Sequence, residues 1–368
     1  MAPDALDPWR LRAWPSAQAT PLTRDPGQDR AGSRCAGPQS GGLAVLRSGR
    51  LRDTPPMRTF TIEPRGRFDL ATARDFAGGF ASGIGSTAAA AGSILMSFPV
   101  EGWAASAVVQ VRQEPDGSIQ GDVFGDGDLA TIERQAARSL SVDHDGAGWP
   151  EVGRRDPVIG RLQERFGLLR PVCFFSAYEA ATSFVIGQRI SMVQTRRVKA
   201  RLAEEVGDTV EVELGGERST FRTFPRPQQL LSLPEIAGIS AVKVERLHGL
   251  ARAALDGQLA TERLRGLPET EALAELRALP GIGEWTASGV LTRGCGVADE
   301  VPLGDRISRE AVRHFHELAE PPDDDAWLAI AEPWRPYRMW ATVLLHMAWR
   351  RDRPATPSYR QGRTSATD

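Results

Sequence analysis

Hydrophobic side chains recur at helical spacing through most of the chain between about residues 155 and 350. Prolines and glycines divide this region into short segments, which predicts a series of short helices. One segment departs from the pattern: VEVELGGERSTF, near residues 209–224, alternates like two strands around a Gly-Gly turn. The sequence therefore predicts a helical domain with a small β-hairpin inserted in it.

The preceding region mixes helical and alternating patterns. Residues 68–80 and 129–140 have helical periodicity, whereas ILMSFPV and WAASAVVQVRQ read as strands, and QEPDGSIQGDVFG contains the Asp-Gly pair typical of a hairpin turn. We therefore predict an α+β fold, with a small α+β domain over residues 57–150 followed by an all-α domain over residues 151–351. Residues 1–56 and 352–368 show neither helical nor strand periodicity and are predicted to be disordered. Translation starting at Met57 instead of Met1 stays open.

Composition narrows the classes of partner. Lys and Arg number 45 against 47 Asp and Glu, so a nucleic-acid contact must be local, and the only lysines are Lys199 and Lys243. Cys35, Cys173 and Cys295 form neither a disulfide framework nor a metal cluster, which favours a reducing cytoplasm. The histidines lack ligand spacing, so zinc is not expected. Membrane spans and a signal peptide are not expected either.

The stretch RALPGIGEWTASG interrupts the helical region at residues 277–289 with a proline and two glycines. Apolar residues at helical spacing flank it: Leu273, Leu276 and Leu279 before the turn, and Ala287, Val290, Leu291 and Gly294 after it. Gly281 and Gly283 allow positive φ and close approach of another group, and the amides that open the second helix favour a phosphate. Turn geometry alone is the competing explanation.

The segment LPGIGEWTA resembles the helix-hairpin-helix of the DNA base-excision glycosylase superfamily. Further segments resemble, in order, the 3-methyladenine DNA glycosylase II (AlkA-like) family: RDPVIGRL, AYEAATSFVIGQRIS, FPRPQQLLSL, GISAVKVERLHGLA and EPWRPYRMWA. The resemblance covers about residues 58–350 and is weaker in the first domain.

This resemblance implies that Asp305, in VPLGDRIS twenty residues after Trp285, is the catalytic carboxylate. A carboxylate there would stabilise a cationic sugar and orient water, and it would also cap the following helix. Bifunctional relatives place a lysine where this chain has Trp285, which predicts no lyase activity. No cysteine follows Cys295, so the iron–sulfur cluster of other relatives is not expected.

The resemblance also implies a base pocket and a DNA contact. The pocket residues are predicted to be Trp285 with His346 or Trp349, while Gly289 and Arg306 replace aromatic residues of the family. The predicted DNA-binding set is Gly281, Ile282, Gly283, Thr286, Gln188 and Arg189. Either Gln188 or Arg189 would fill the gap left by the flipped base. A monovalent cation, Na or K, is predicted on the backbone carbonyls of Arg277, Leu279 and Gly281.

These features predict a monofunctional DNA glycosylase that flips alkylated purines of the 3-methyladenine type out of damaged double-stranded DNA. We expect a monomer in the bacterial cytoplasm, associated with the nucleoid, that needs no cofactor for catalysis. Two alternatives stay open: a helix-hairpin-helix protein that binds lesions without catalysis, and a glycosylase for deaminated or etheno bases.

Overall fold

The computed structural model describes residues 58–79 and 92–352. Contacts divide the chain into the units Met1–Thr54 and Pro55–Asp368, and all described residues lie in the second. The predicted extension over residues 1–56 and the predicted tail beyond Asp352 fall outside the described residues, as do Cys35 and Phe80.

The first part of the described chain is a four-stranded antiparallel sheet with two helices. Its strands are β1 (Arg58–Ile62), β2 (Ser93–Pro99), β3 (Ser106–Gln113) and β4 (Ile119–Gly125), in the order β1-β4-β3-β2. The Asp-Gly turn forms between β3 and β4, where Gly117 has a φ of 94°. The helices are α1 (Leu70–Gly79) and α2 (Leu129–Ser139). They pack on the sheet through apolar residues such as Ile132 and Phe98.

The rest is mainly helical. Its helices are α3 (Trp149–Arg155), α4 (Pro157–Phe166), α5 (Ala177–Gly187), α6 (Met192–Val206), α7 (Pro227–Leu231), α8 (Ala241–Leu255), α9 (Thr261–Gly266), α10 (Glu269–Arg277), α11 (Glu284–Gly289), α12 (Arg306–Phe315), α13 (Asp324–Ala331) and α14 (Arg338–Asp352). A π-helical turn, Val290–Gly294, follows α11, and a 3₁₀ turn, Glu332–Trp334, follows α13. None of the helices in the described ranges is both long enough and apolar enough to cross a membrane.

The predicted β-hairpin forms between α6 and α7 from β5 (Thr209–Leu214) and β6 (Glu217–Arg222). Val210 and Val212 alternate inward along β5 and pack against Leu95 and Val108 of the sheet. The hairpin therefore covers the sheet face opposite α1 and α2, which explains why β2 is buried along its whole length.

Two boundaries differ from the sequence prediction. The helix after the hairpin turn changes to π-helical pitch at Val290, and Gly294 lies so close to α5 that an added Cβ would be 2.7 Å from the Cβ of Ala180. Helix α14 extends through Asp352, one residue beyond the predicted end, because Arg165 binds the Asp352 carboxylate with two hydrogen bonds of 2.9 and 2.7 Å.

The core of the helical part contains a buried ion pair. Lys199 Nζ lies 3.1 Å from Oε1 of Glu179, and both side chains are almost fully buried. The ammonium also faces the rings of Phe174 and Phe224, at 5.3 and 5.5 Å from their centroids. This pair fixes α6 against α5, the helix that precedes Gln188 and Arg189.

Candidate active site

The Pro-Gly turn joins α10 to α11 as a short helical hairpin. Ile282 is buried beneath the turn, and its amide donates to the Leu279 carbonyl at 3.2 Å. Gly281 has a φ of 80°, as the sequence suggested, but Gly283 is extended, with a φ of −93°. Only the first glycine therefore uses the left-handed region, and the second must be explained differently.

The two glycines differ in what surrounds them. A Cβ on Gly281 would lie 2.7 Å from Cδ of Arg246, whereas a Cβ on Gly283 would meet nothing within 4 Å. Gly283 is exposed. The fold therefore needs a glycine at position 281, while the bare backbone at position 283 is available to an external group.

Gln188 and Arg189 follow α5 beside this turn, and their side chains differ in exposure and contacts. Nε2 of Gln188 donates to the Gly281 carbonyl at 2.8 Å, and Arg246 donates to its Oε1 at 3.2 Å. Arg189 is exposed and has a φ of 59°, a conformation that is uncommon outside glycine. Gln188 thus ties α5 to the hairpin, and Arg189 is the side chain that protrudes.

Two basic residues outside the predicted DNA-binding set, Lys243 and Arg246, complete this face. Lys243 of α8 donates to the carbonyls of Ile186, at 3.0 Å, and Gln188. Burial lowers the pKa of the Lys243 ammonium, and the neighbouring guanidinium groups of Arg246 and Arg189 lower it further. Both lie in the quoted segment GISAVKVERLHGLA, but their contacts with α5 and the turn depend on tertiary packing.

The other predicted DNA-binding residues of the hairpin, Ile282 and Thr286, are buried. Their side chains support the turn from inside, so contact with DNA at these positions would have to use the backbone. The first amides of an α-helix have no partner within the helix, and α11 begins directly after the exposed Gly283.

Trp285 is 46% exposed at the start of α11. Its ring packs edge-on against Phe184, with centroids 5.3 Å apart. Phe184 also fills the space beside Gly289, where an added Cβ would lie 2.8 Å from the phenyl ring. Phe184 of α5 therefore occupies the space next to Gly289 and contacts Trp285.

Asp305 immediately precedes α12, and its neighbour Gly304 packs against Trp285. A Cβ on Gly304 would be 3.5 Å from both Cα and Cβ of Trp285, so the two segments are in close contact. Asp305 Oδ1 accepts from the Ile307 amide at 3.1 Å, which makes it the N-cap of α12. The structure thus brings the predicted catalytic acid to the exposed tryptophan.

The environment of Asp305 keeps its carboxyl ionised. Burial by itself disfavours the charged form, but the adjacent His346 imidazole and the hydrogen bond from the Ser308 hydroxyl outweigh it, so the pKa of Asp305 lies below its usual range. The side chain remains 15% exposed. The charged carboxylate therefore stays accessible at one edge, next to the segment that contacts Trp285.

Of the two α14 candidates, His346 lies nearer to the acid. His346 Nδ1 is 3.6 Å from Asp305 Oδ2 and 3.3 Å from the Ser308 hydroxyl. Trp349 is nearly buried and packs on His314, with centroids 4.9 Å apart. Trp349 borders a groove of about 390 Å³ along α12 that is also lined by Arg306, Ile307, Glu310 and Arg313.

Sequence reasoning missed Ser308 and Phe184. Ser308 stands three residues after the N-cap Asp305, a spacing at which a side chain can reach back to the cap. This spacing could have predicted the contact between Ser308 and Asp305. The role of Phe184 depends on how α5 packs against α11, which no local pattern reveals.

Metal binding has little support from side chains. Within residues 58–79 and 92–352, no group of three or more His, Cys, Asp or Glu residues could hold a metal ion. Two of the three carbonyls predicted to bind a monovalent cation already accept hydrogen bonds, Leu279 from the Ile282 amide and Gly281 from Gln188. The cation therefore stays a prediction.

The chain is similar in sequence to known DNA glycosylases. The chain is 27% identical over 215 residues to a DNA-3-methyladenine glycosylase of Bacillus subtilis, a match covering 57% of this chain and 69% of that protein. It is 30% identical over 196 residues to DNA-3-methyladenine glycosylase 2 of Escherichia coli, covering 52% of this chain and 63% of that protein. The chain is thus similar in sequence to proteins named DNA-3-methyladenine glycosylase.

A solved structure has a similar fold. The 3-methyladenine DNA-glycosylase from Archaeoglobus fulgidus superimposes with a TM-score of 0.63 at 21% identity, covering 80% of this chain and 98% of that chain. At that identity the match shows the fold alone. No protein-family model matches the chain. The names of these relatives do not favour a non-catalytic lesion-binding protein or a glycosylase for deaminated or etheno bases.

Proposed function

We propose that this protein is a monofunctional DNA glycosylase that removes alkylated purines of the 3-methyladenine type from duplex DNA and leaves an abasic site. The observation that carries the proposal is the ionised Asp305 carboxylate, held at the start of α12 against the segment of the exposed Trp285. A fixed anion beside an accessible aromatic face suits a reaction in which positive charge develops on a sugar next to a flipped base.

The chemistry follows from these two groups. The bond between C1′ and the base nitrogen breaks, and its electron pair leaves with the base. The sugar becomes an oxocarbenium-like cation, which the Asp305 carboxylate stabilises across a short distance. Water then adds to C1′ and loses a proton to the carboxylate or to solvent. An alkylated purine is cationic before cleavage, so it leaves as a neutral base and stacks well on Trp285.

The DNA contacts are assigned from the turn and the end of α5. The bare backbone at Gly283 and the first amides of α11 would hold a phosphate, which positions the enzyme without reading sequence. Arg189 would enter the gap left by the flipped base, where a planar guanidinium can stack on bases. Gln188 would hold the turn in place by its bond to Gly281. We propose that the protein acts as a monomer.

We propose the absence of lyase activity from the contacts that hold the two lysines. A Schiff base needs an accessible amine near C1′, and Lys199 and Lys243 are the only lysines of the chain. Lys199 is buried on Glu179, and the Lys243 ammonium is held by the carbonyls of Ile186 and Gln188. Neither can present a free amine at Trp285 without losing these contacts.

We therefore expect strand breakage to depend entirely on added alkali. The full chain is incubated with a methylated, end-labelled duplex, and half of each sample is heated with alkali before electrophoresis. Breaks should appear only after alkali, and borohydride should trap no covalent protein–DNA complex. Breaks without alkali, together with a trapped complex, would contradict the assignment of a water nucleophile.

The DNA contact at the hairpin is tested by Gly283→Ala. The added methyl group fits the free protein but obstructs a phosphate, so we expect Kd for duplex DNA to rise about tenfold, the worth of one charge-assisted hydrogen bond. The free energy of unfolding should change by less than about 1 kcal/mol. Fluorescence anisotropy and urea unfolding measure the two quantities.

Gly281→Ala is the matched control. Its positive φ and the nearby Arg246 side chain predict a loss of about 1 to 2 kcal/mol in the free energy of unfolding. An unchanged Kd in Gly283→Ala would remove this turn from the DNA-binding surface.

A further inference from the structure

The imidazole of His346 is placed to act on the proposed catalytic carboxylate. Its Nδ1 lies 3.6 Å from Asp305 Oδ2 and 3.3 Å from Ser308 Oγ, although the residues belong to different helices. Both side chains are partly accessible, 26% for His346 and 15% for Asp305, so the pair borders the reaction space instead of the core. This chain therefore places an ionisable ring next to the proposed catalytic carboxylate.

We propose that His346 is a positioning residue that acts on Asp305: the neutral imidazole donates its Nδ1–H to the Ser308 hydroxyl, which donates to the carboxylate and fixes it, and protonation of the ring places a positive charge beside Asp305 and slows base release. This inference rests on the proposed glycosylase function. It makes cleavage by this chain sensitive to pH through a group that does not touch the substrate's glycosidic bond.

Electrostatics give the direction of the effect. The sugar gains positive charge as the bond breaks, and a carboxylate stabilises it in proportion to the carboxylate's uncompensated charge. A protonated imidazole at 3.6 Å cancels part of that charge. It also repels a cationic base entering the same space. Both effects disfavour the reaction, so the rate should fall as the ring becomes protonated.

Asp305 cannot itself account for such a fall above pH 5. Burial opposes its ionisation, but the contacts with His346 and Ser308 keep its pKa below the usual range for a carboxyl. An imidazole is the side chain whose ordinary titration falls between pH 5 and 8. A change of rate in that interval would therefore come from a group other than Asp305, and the variants below identify that group.

Charged groups on the elements packed against His346 have partners elsewhere or face solvent. On α12, Arg309 binds the Leu303 carbonyl and Asp324, and Glu310 pairs with Arg313. Three other charged groups, at the rim and at the helix ends, are exposed: Arg306, Glu284 and Arg350. Arg165 pairs with Asp352. Within the described residues, Asp305 is the charged group that pairs with His346.

One other group near the hairpin could titrate in a similar range. Burial, with a smaller effect of Glu269, raises the pKa of Glu300 to about 8, and Glu300 lies beside Ser288 of α11. Its contacts are with α11 and with Arg338, not with Asp305. The experiment must therefore separate His346 from Glu300.

The test is the single-turnover rate of base release from methylated duplex DNA, measured with excess enzyme between pH 5.5 and 8. For wild type we expect the rate to fall roughly tenfold from pH 8 to pH 5.5. For His346→Asn, whose amide nitrogen replaces Nδ1 as an uncharged donor, we expect a rate about threefold below wild type at pH 8 and no fall toward pH 5.5. The two profiles should cross. His346→Leu should also be flat but slower than His346→Asn, because it has no donor.

Two controls complete the design. His314→Gln changes a histidine of the same α12–α14 interface that contacts Trp349 instead of Asp305, and Glu300→Gln removes the buried carboxyl. Both should keep the acid fall. The inference is overturned if His346→Asn keeps the wild-type pH profile, or if Glu300→Gln abolishes the fall. A wild-type enzyme that releases no base at any pH contradicts the proposed function instead.

Discussion

Asp305→Asn should lower the rate of base release by about 100- to 1000-fold, with the fold intact. Asparagine is as good an N-cap as aspartate, so its side-chain oxygen can still accept from the Ile307 amide. Only the negative charge is lost, and with it the stabilisation of the sugar cation. Single-turnover assays at saturating enzyme measure the rate.

The control for this variant is DNA binding. Because Asp305 contributes charge and not phosphate contacts, Asp305→Asn should bind a damaged duplex at least as tightly as wild type. A decrease in rate of less than tenfold would show that another group stabilises the cation. A parallel loss of secondary structure would instead assign Asp305 to the cap alone.

Lys199→Met should reduce the free energy of unfolding by about 3 to 5 kcal/mol, because it leaves the Glu179 carboxylate buried without a counter-charge. Oε2 of Glu179 accepts from the Phe175 amide at 3.3 Å, which cannot replace an ammonium. Urea unfolding followed by circular dichroism measures the loss.

The double variant Lys199→Met with Glu179→Gln separates charge from packing. Glutamine can still accept from the Phe175 amide, so most of the lost stability should return. Arg154→Ala, which disrupts the exposed pair with Glu151, is the surface control and should leave unfolding almost unchanged. A Lys199→Met protein as stable as wild type would show that the pair is unimportant to the core.

The sequence predicted most of the fold because its signals are local. Alternation and an Asp-Gly turn were sufficient for β3 and β4, and a Gly-Gly turn was sufficient for β5 and β6. The N-cap at Asp305 also follows from a local pattern. The π-helical turn at Val290 was not predictable, because it depends on how closely Gly294 approaches α5.

The candidate site was predictable only in part. Trp285 and Asp305 carry family spacing, but the different uses of Gly281 and Gly283 result from the position of Arg246 on α8. His346 could be placed on the last helix, yet its contact with Asp305 joins residues separated by most of α12, α13 and α14. Such contacts are set by helix packing, which leaves no periodic trace in the sequence.

The most direct test of the central claim is mass spectrometry of the bases released from methylated duplex DNA. Wild type should release free alkylated purines, 3-methyladenine among them, and leave the strand unbroken until alkali is added. Asp305→Asn should release almost none. Binding of the duplex by wild type without any released base, or equal release by both proteins, would contradict the account.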